Sequence, residues 1–335
     1  MRGIPHGSSR FFTESGGGSA VRIRPATGPQ VGLCNANRRI VDEPAPPFPL
    51  EAGAYLQWSN PRLAELRGRY ATHPASVHSQ WSPEFIAQKV DLKRFRADGA
   101  YVWQGPQFSE NKYLMTAYYA KTTDRLGIFD GMIEDGIFGA YAFRFNGKVV
   151  SRDLIDSVME INFLQENFGQ RRLGVLDIGA GYGRLGHRLF EAMPSADPVF
   201  CTDAIAESTF ICEFYLRYRK ARSRAIPVDE VEALAKDGGI DLATNIHSFS
   251  ECTQKSISWW LTLLRDAKVK HLFIVPNRNE ELLSTEDDGK RLSCSGLLEQ
   301  FGYRLRVKRP KYVNGTAMER YGIGPTWYLL FELES

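Results

Sequence analysis

The chain has 335 residues, of which 43% are hydrophobic, 24% charged and 12% aromatic, a composition typical of a globular protein with a sizeable core. No apolar run reaches the roughly eighteen residues of a transmembrane helix, and the first residues lack the apolar stretch of a secretory signal. The five cysteines are scattered without CxxC spacing, so we expect reduced thiols in the cytoplasm rather than disulfides or a zinc site.

The net charge of +3 arises within residues 1–50, which hold six Arg and three acidic residues. The rest of the chain is neutral overall, which argues against a surface that binds duplex nucleic acid. The same segment contains seven Gly and seven Pro, including Gly16–Gly18 and the cluster at 44–47. Because such a segment buries little apolar surface, we predict a disordered tail over residues 1–50.

Residues 51–170 are predicted to form a largely helical N-terminal cap that contacts the substrate. The pair Ser82-Pro83 is typical of a helix start, with Ser as the cap and Pro at the first helical position. We expect this helix to run to Asp98-Gly99. A second helix is predicted from Ser109 to Gly127 because its apolar residues recur at helical spacing.

Two further elements complete this region. Residues Phe138–Val150 alternate in polarity around Asn146-Gly147, which predicts a β-hairpin with a two-residue turn. Ser151 is then the predicted N-cap of a helix that ends at Gly169.

Residues 171–335 alternate between buried, β-branched runs and segments of helical length. This pattern predicts an α/β fold with a doubly wound, mostly parallel sheet. The last two strands have little but a loop between them, so we expect an antiparallel hairpin there. The predicted strands are Gly174–Ile178, Val199–Thr202, Asp241–Asn245, His271–Val275, Tyr303–Lys308 and Trp327–Leu333.

A glycine-rich turn follows the first of these strands, with Gly179, Gly181 and Gly183 at alternate positions and Asp177 two residues before them. Glycines allow close approach of a ligand, and the following helix start offers unpaired N–H groups. An S-adenosylmethionine loop fits best, because Asp177 suits the cationic end of that cofactor and would repel a pyrophosphate. The alternative is a dinucleotide, since Gly181, Gly183 and Gly186 formally match its fingerprint.

The second strand is followed by Asp203, twenty residues after Gly183. A carboxylate at this position can accept hydrogen bonds from both ribose hydroxyls in either cofactor class. The chain contains no Tyr-x-x-x-Lys pair, which disfavours a short-chain reductase or epimerase.

Six blocks stand out after residue 100: EDGIFGA at Glu134–Ala140, SRDLIDSVMEI at Ser151–Ile161, LDIGAGYGRL at Leu176–Leu185, TDAIAEST at Thr202–Thr209, NIHSFSE at Asn245–Glu251 and PKY at Pro310–Tyr312. Together they resemble the sugar O-methyltransferases of bacterial polysaccharide and glycosylated-metabolite pathways. The resemblance implies a class I methyltransferase fold, Rossmann-like, with a seven-stranded sheet whose final strand is antiparallel. It also implies S-adenosylmethionine as cofactor and a sugar hydroxyl as acceptor, either small or part of an oligosaccharide.

His247 follows the third predicted strand and should lie near the transferred methyl group, because ligands bind beyond the carboxyl ends of parallel strands. We interpret it as the general base that removes the acceptor proton, since neutral imidazole is available near neutral pH. Glu251 lies four residues later and would share a face with His247 in a helix, where it could orient the imidazole or bind a sugar hydroxyl. A hydrogen-bonded structural role is the alternative for His247.

Further site candidates surround these residues. Tyr182, Arg184 and Asn245 are predicted to bind the cofactor, with Arg184 either pairing with the cofactor carboxylate or lying at the surface. Asp156 and Glu160 are candidates for the substrate site because they share a helix face. Trp103 and Tyr312 are candidates for stacking on a sugar because both lie in loop-like stretches.

Magnesium would require carboxylate ligands. The acidic candidates Asp156, Glu160 and Glu251 are far apart in sequence, so no metal is expected. Methylation of a non-sugar small molecule is the alternative activity. A methyltransferase fold retained only for binding is the alternative without catalysis.

Overall fold

The computed structural model describes residues 47–77, 80–97, 100–101, 110–277, 280–313, 316–324 and 326–334. The α-helices are α1 Leu50–Tyr55, α2 Pro61–Tyr70, α3 Pro74–Val77, α4 Pro83–Lys89, α5 Glu110–Thr123, α6 Ile128–Gly131, α7 Arg152–Phe168, α8 Arg184–Ala192, α9 Ala206–Tyr218, α10 Val231–Lys236, α11 Gln254–Asp266, α12 Ser295–Gln300 and α13 Thr316–Tyr321. The strands are β1 Ala142–Phe145, β2 Lys148–Ser151, β3 Leu173–Ile178, β4 Ala196–Thr202, β5 Arg224–Ala225, β6 Leu242–Ile246, β7 His271–Val275, β8 Tyr303–Pro310 and β9 Trp327–Leu333.

Seven of these strands form one sheet in the order β5-β4-β3-β6-β7-β9-β8. The neighbours from β5 to β7 pair in parallel, whereas β9 is antiparallel to both β7 and β8. Strand order reverses at β3, so helices cover both faces of the sheet. The predicted doubly wound sheet, with its antiparallel final strand, is confirmed as the Rossmann-like class I methyltransferase topology.

Two hydrophobic cores lie on the two faces of this sheet. One includes Leu63 and Phe95 from the N-terminal helical region together with Phe210 of α9. The other includes Tyr113 of α5 and Leu154 of α7 with the opposite face of the strands. The predicted N-terminal region, residues 51–170, therefore contributes to both cores rather than forming one of its own.

The local signals before the sheet are confirmed. The hairpin β1–β2 turns at Asn146 and Gly147, whose φ angles of 49° and 81° are those of a two-residue turn. The Ser151 hydroxyl accepts a hydrogen bond from the Leu154 N–H and caps α7. The helix ends before Gly169, which adopts a φ of 60°.

The helix that begins at Pro83 is shorter than predicted and ends at Lys89 instead of reaching residue 98. Val90 is extended, and the Asp91 carboxylate then accepts hydrogen bonds from the main-chain N–H groups of Lys93 and Arg94. This local bonding offers the backbone an alternative to the helix.

The structure differs from the sequence-based prediction in three further features. The last two strands are separated by α13 and not by a loop alone. Strand β5 is only two residues long and was not identified from the sequence. Of the predicted tail, the structure describes residues 47–50, and Leu50 already begins α1.

No helix within the described ranges is both long and apolar enough to cross a bilayer. Cys201, Cys212, Cys252 and Cys294 are free, buried thiols.

Candidate active site

The carboxyl ends of β3, β4 and β6 open into a cavity of about 680 Å³. Ile178 at the end of β3 pairs in register with Thr202 of β4 and with Asn245 of β6, so the segments after these strands meet at one edge of the sheet. This edge is where doubly wound sheets bind ligands. The predicted site residues in the cavity wall are Asp156, Asp177, Gly179, Gly181, Tyr182, Arg184, Asp203, His247 and Glu251.

The glycine-rich turn forms the floor of the cavity in a conformation that requires glycine. Gly179 and Gly181 have φ angles of 69° and 56°. A Cβ at Gly179 would collide with the Ser248 side chain, and one at Gly181 would lie 2.9 Å from Cδ1 of Tyr101. A side chain at either position would therefore displace Ser248 or Tyr101, both of which line the cavity.

Asp203 sits at the end of β4 and helps to shape this turn. Its Oδ2 accepts a hydrogen bond from the Gly181 N–H at 2.9 Å, and its Oδ1 accepts one from the Ile205 N–H at 2.9 Å. Burial raises the pKa of Asp203 to about 7, although these two hydrogen bonds oppose the shift. Each carboxylate oxygen retains a lone pair for a further donor.

Asp177 is the second acidic group of the cavity wall. Its Oδ1 accepts a hydrogen bond from the Thr244 hydroxyl at 2.6 Å. Burial raises its pKa to about 7, which the Thr244 hydrogen bond and the charge of Arg184 partly offset. A cation placed in the cavity would favour the ionised form.

Arg184 begins α8 and lies in the wall, but its guanidinium is engaged by Glu160. Nη1 donates to Oε2 of Glu160 at 2.7 Å and Nη2 donates to Oε1 at 3.2 Å. Glu160, predicted for the substrate site, therefore lies behind the wall as the partner of Arg184. Burial raises the pKa of Glu160, and Arg184 opposes that shift.

The side-chain polar atoms of Tyr182 and Asn245 bond to the protein, although Tyr182 lines the cavity. The Tyr182 hydroxyl donates to Oδ2 of Asp153 at 2.8 Å. The Asn245 amide donates to the Ile178 carbonyl at 3.0 Å and accepts from the Phe249 N–H at 2.8 Å, and the residue is fully buried. Asn245 thereby holds the loop after β3 against the loop after β6.

His247 lies in the cavity wall directly after β6. Its φ of 68° is in the left-handed region, which is strained for a non-glycine residue and is common at functional sites. Its Nδ1 is buried without a hydrogen-bond partner in the described part of the chain. Burial lowers the pKa of His247 to about 3, and the charge of Arg152 acts in the same direction. The imidazole is therefore neutral at physiological pH.

Glu251 does not share a face with His247, which corrects the geometry assumed for an α-helix. Residues Ser248–Glu251 form a 3-10 helix, in which positions four residues apart are about 120° apart around the axis. Its Oε2 instead accepts a hydrogen bond from the Trp81 indole N–H at 2.9 Å. Orientation of the imidazole by Glu251 thus has no support from this geometry.

Asp156 lines the cavity near His247 and forms two ion pairs there. Its Oδ1 accepts from Nζ of Lys311 at 2.7 Å and its Oδ2 accepts from Nε of Arg152 at 3.1 Å. Burial acts to raise the pKa of Asp156, but the charges of Lys311 and Arg152 hold it well below its usual range. Asp156 is therefore an ionised acceptor at the cavity surface.

The two aromatic stacking candidates differ in outcome. Tyr312 is only 2% exposed, and its hydroxyl donates to the Ile323 carbonyl at 2.6 Å, so it has no free face for a sugar. Tyr312 does lie in a loop-like stretch outside the strands, as predicted, but this stretch packs into the core. Trp103 lies outside the described residues.

Several cavity residues were not singled out from the sequence, namely Trp81, Tyr101, Lys112, Arg152, Asn277, Arg291 and Thr326. Trp81 and Tyr101 come from the N-terminal helical region, with ring centroids 5.4 Å apart. No local pattern marks them, because they reach the site only through tertiary packing. Among the described residues, no group of three or more His, Cys, Asp or Glu is placed to hold a metal ion.

A buried ionic cluster lies behind the cavity and contains acidic residues of two of the sequence blocks, Glu134–Ala140 and Ser151–Ile161. Asp153 accepts hydrogen bonds from both Arg96 and Arg188, and Glu134 contacts the same two guanidinium groups. The Asp135 carboxylate accepts a hydrogen bond from the Arg219 guanidinium at the edge of the cluster. The cluster therefore joins the N-terminal region to α7, α8 and α9.

No protein-family model and no curated protein sequence matches the chain. Similar solved structures include an S-adenosylmethionine-dependent methyltransferase from Clostridium acetobutylicum, at 14% identity and a TM-score of 0.39, covering 53% of this chain and 91% of that one. A magnesium protoporphyrin IX methyltransferase from Synechocystis with bound S-adenosylmethionine has 11% identity and a TM-score of 0.39, covering 69% and 100%. A methyltransferase from Aquifex aeolicus has 16% identity and a TM-score of 0.37, covering 51% and 88%. Similarity at this level carries no functional information, so function has to be inferred from the cavity itself.

Proposed function

We propose that the protein is an S-adenosylmethionine-dependent O-methyltransferase that acts on a sugar hydroxyl. The observation that carries this proposal is the convergence of the glycine turn, Asp177, Asp203 and His247 on one cavity of about 680 Å³. That volume is within the range of about 300–1,000 Å³ typical of small-molecule sites.

The residues present fit the cofactor. The backbone of the glycine turn borders the cavity at Gly179 and Gly181, and the carboxylates of Asp177 and Asp203 line the same cavity. Asp203 accepts hydrogen bonds from the ribose hydroxyls, and Asp177 stabilises the cationic amino group. Asn245 acts indirectly, by fixing the loop after β3. S-adenosylmethionine, when bound, supplies an electrophilic methyl group on its sulfonium.

His247 completes the proposed reaction. Since Nδ1 is the buried ring nitrogen, Nε2 is the atom that accepts the proton of the acceptor hydroxyl as the new bond forms. A neutral imidazole is required for this step, and the lowered pKa keeps it neutral. A positioned base typically contributes about 10²–10⁴-fold in rate, and the low pKa of His247 places it near the bottom of this range.

The sugar acceptor is supported by the sequence blocks and by the polar groups beside His247. Arg152 and Asp156 provide a donor and an acceptor in the cavity wall, which suits the hydroxyls of a saccharide. Of the predicted substrate-binding residues, we propose this role for Asp156 and not for Glu160 or Tyr312.

The test is calorimetric titration of the purified protein with S-adenosylmethionine, S-adenosylhomocysteine and NAD, followed by an acceptor screen over sugars and small phenols. We expect both sulfur cofactors to bind and NAD not to bind, with methyl transfer to a sugar. If neither sulfur cofactor binds, the proposed methyltransferase activity is refuted. Transfer to phenols alone would refute only the sugar acceptor.

A further inference from the structure

The cavity extends from His247 toward the side of the sheet that is formed by β9. The Thr326 hydroxyl, directly before β9, donates to the carbonyl of Pro276, directly after β7. Lys311, directly after β8, donates its main-chain N–H to the Thr326 carbonyl at 2.8 Å. Asp203 follows β4, which lies on the other side of β3 in the sheet order. We therefore distinguish this region from the Asp203 side and call it the β9 end of the cavity.

Two cationic side chains, those of Lys112 and Arg152, line the β9 end. The hydroxyl of Thr116, one turn after Lys112 on α5, accepts a hydrogen bond from the Ile323 N–H at 3.0 Å. A Cβ on Gly324 would lie only 3.2 Å from Nη2 of Arg152. The elements that carry the two cations therefore meet at the same short segment of the cavity wall.

Positive charge exceeds negative charge at the β9 end. Within the described cavity wall, Asp153 belongs to the neutral ionic cluster, which leaves Asp156 as the acid of this end. Arg152 and Lys311 share the Asp156 carboxylate, and their side chains are only 11% and 4% exposed. With Lys112, three cations face one carboxylate, so two positive charges are in excess. Because charge held away from water is costly without compensation, this end favours an anion.

The β9 end adjoins the proposed base. His247 lines the same wall. Burial is the main cause of its lowered pKa, but the charge of Arg152 also lowers this pKa and the charge of Asp156 raises it. Both groups therefore lie within electrostatic range of the imidazole. An anion bound by Lys112 and Arg152 would lie near the acceptor hydroxyl that His247 deprotonates.

The cofactor is not assigned to these two cations. In the proposed function, its amino group lies at Asp177, and the charge of Arg184 already acts on Asp177. Arg184 is fixed in the wall by its two hydrogen bonds to Glu160. Lys112 and Arg152 are further cations, so the anion that they favour is expected to belong to the acceptor.

Resting on the proposed function, we infer that the sugar acceptor carries an acidic group, a phosphate or a carboxylate, which Lys112 and Arg152 bind. The hydrogen bond from Nε of Arg152 to Asp156 orients the guanidinium before the acceptor arrives. Guanidinium and ammonium groups bind phosphate and carboxylate through charge-assisted hydrogen bonds. An uncharged sugar leaves the two excess charges uncompensated and is therefore the weaker ligand.

The test is calorimetric titration of the S-adenosylhomocysteine complex with inorganic phosphate and with acetate at constant ionic strength. We expect binding in the millimolar range or tighter, which is the scale of two hydrogen bonds to charged groups. Lys112→Gln and Arg152→Gln should each weaken this binding by at least about 10-fold. Arg152→Lys keeps the charge and should lose less than Arg152→Gln. The exposed Lys236→Gln is the matched control and should bind as the wild type does.

The two anions distinguish the sources of the acidic group, and either result supports the inference. Tighter binding of phosphate indicates a phosphorylated or nucleotide-linked sugar, whereas tighter binding of acetate indicates a uronic acid. Comparable melting temperatures would show that the variants are folded. Since Lys112 is only half-buried, Lys112→Gln still tests the inference if Arg152→Gln does not fold.

The remaining outcomes separate this inference from the proposed function. If the complex forms but binds neither anion, or if both Gln variants bind the anions as the wild type does, the inference is overturned and the methyltransferase stands. If both variants lose more than about 10-fold in affinity for S-adenosylhomocysteine, the cations bind the cofactor carboxylate and the inference is again overturned. If the wild type does not bind S-adenosylhomocysteine, the proposed function and this inference fall together.

Discussion

The strongest prediction for stability concerns Asp153, the centre of the buried ionic cluster. Its carboxylate accepts five hydrogen bonds, from Nε and Nη2 of Arg96 at 3.1 and 2.9 Å, from Nε and Nη2 of Arg188 at 3.1 and 2.8 Å, and from the Tyr182 hydroxyl at 2.8 Å. Asp153→Asn preserves the shape but removes the charge, and it turns an NH₂ group toward one of the guanidinium groups.

The magnitude follows from the charges that remain. In the wild type, Asp153 and Glu134 balance Arg96 and Arg188, all of them nearly inaccessible to solvent. The variant leaves one buried positive charge without compensation, and breaking a buried pair in this way costs about 3–5 kcal/mol. Asp130→Asn is the matched control, because Asp130 forms an exposed ion pair with Lys121 that should contribute at most about 1 kcal/mol.

Urea unfolding at pH 7 measures this difference, and its pH dependence provides a second check. Burial opposes ionisation of Asp153, but the charges of Arg188 and Arg96 hold its pKa well below the usual range. A carboxyl group with a lowered folded-state pKa stabilises above its unfolded value near 4 and loses this contribution as the pH falls further. The difference in the free energy of unfolding between wild type and variant should therefore have its full size at pH 7 and decrease below about pH 4. A loss at pH 7 no larger than that of Asp130→Asn would refute the reasoning.

Four predictions address the proposed activity. Asp203→Ala should weaken S-adenosylhomocysteine binding by about 1.5–3 kcal/mol in calorimetry, which is the scale of hydrogen bonds to a charged group. The control Asp237→Ala, at an exposed position, should bind as the wild type does. If Asp203→Ala also binds with the wild-type affinity, Asp203 is not part of the cofactor site. His247→Gln should keep cofactor affinity but lose about 10²-fold in methyl transfer, and full turnover would reject His247 as the base. Cofactor affinity should rise between about pH 6 and pH 7.5, because Asp177 and Asp203, with pKa values of about 7, become ionised over this range and the ionised forms bind the cofactor. The turnover rate at saturating substrate should show no step near pH 6.5, because His247 has a pKa of about 3 and stays neutral. A cofactor affinity that does not change with pH would contradict the roles of Asp177 and Asp203, and a step in turnover near pH 6.5 would contradict the role of His247.

Features governed by neighbouring residues were predictable from the sequence. The Asn146-Gly147 turn and the Ser151 cap depend on groups within a few residues, and both have the expected form. The glycine turn after β3 follows the same logic, since its φ angles are set by its own residues. Sheet topology was predictable because buried runs alternated with helical segments in order.

Features governed by distant contacts were not predictable. Glu251 was assigned to His247 by sequence distance, but its hydrogen-bond partner Trp81 is 170 residues away in the chain. Tyr312 was assigned to the substrate from its loop-like stretch, but Tyr119 of α5 and the Ile323 carbonyl enclose it in the core. Glu160 carried no sign that Arg184 would occupy both of its oxygens. In each case, tertiary packing chose the partner.

The ionic cluster also determines how the chain can be divided. A fragment that begins at residue 171 would retain Arg188 and Arg219 but lose Asp153, Glu134 and Asp135, the carboxylates that neutralise them. We therefore expect the helical region before the sheet and the sheet itself to unfold as one cooperative unit, so that neither half is stable as a separate fragment.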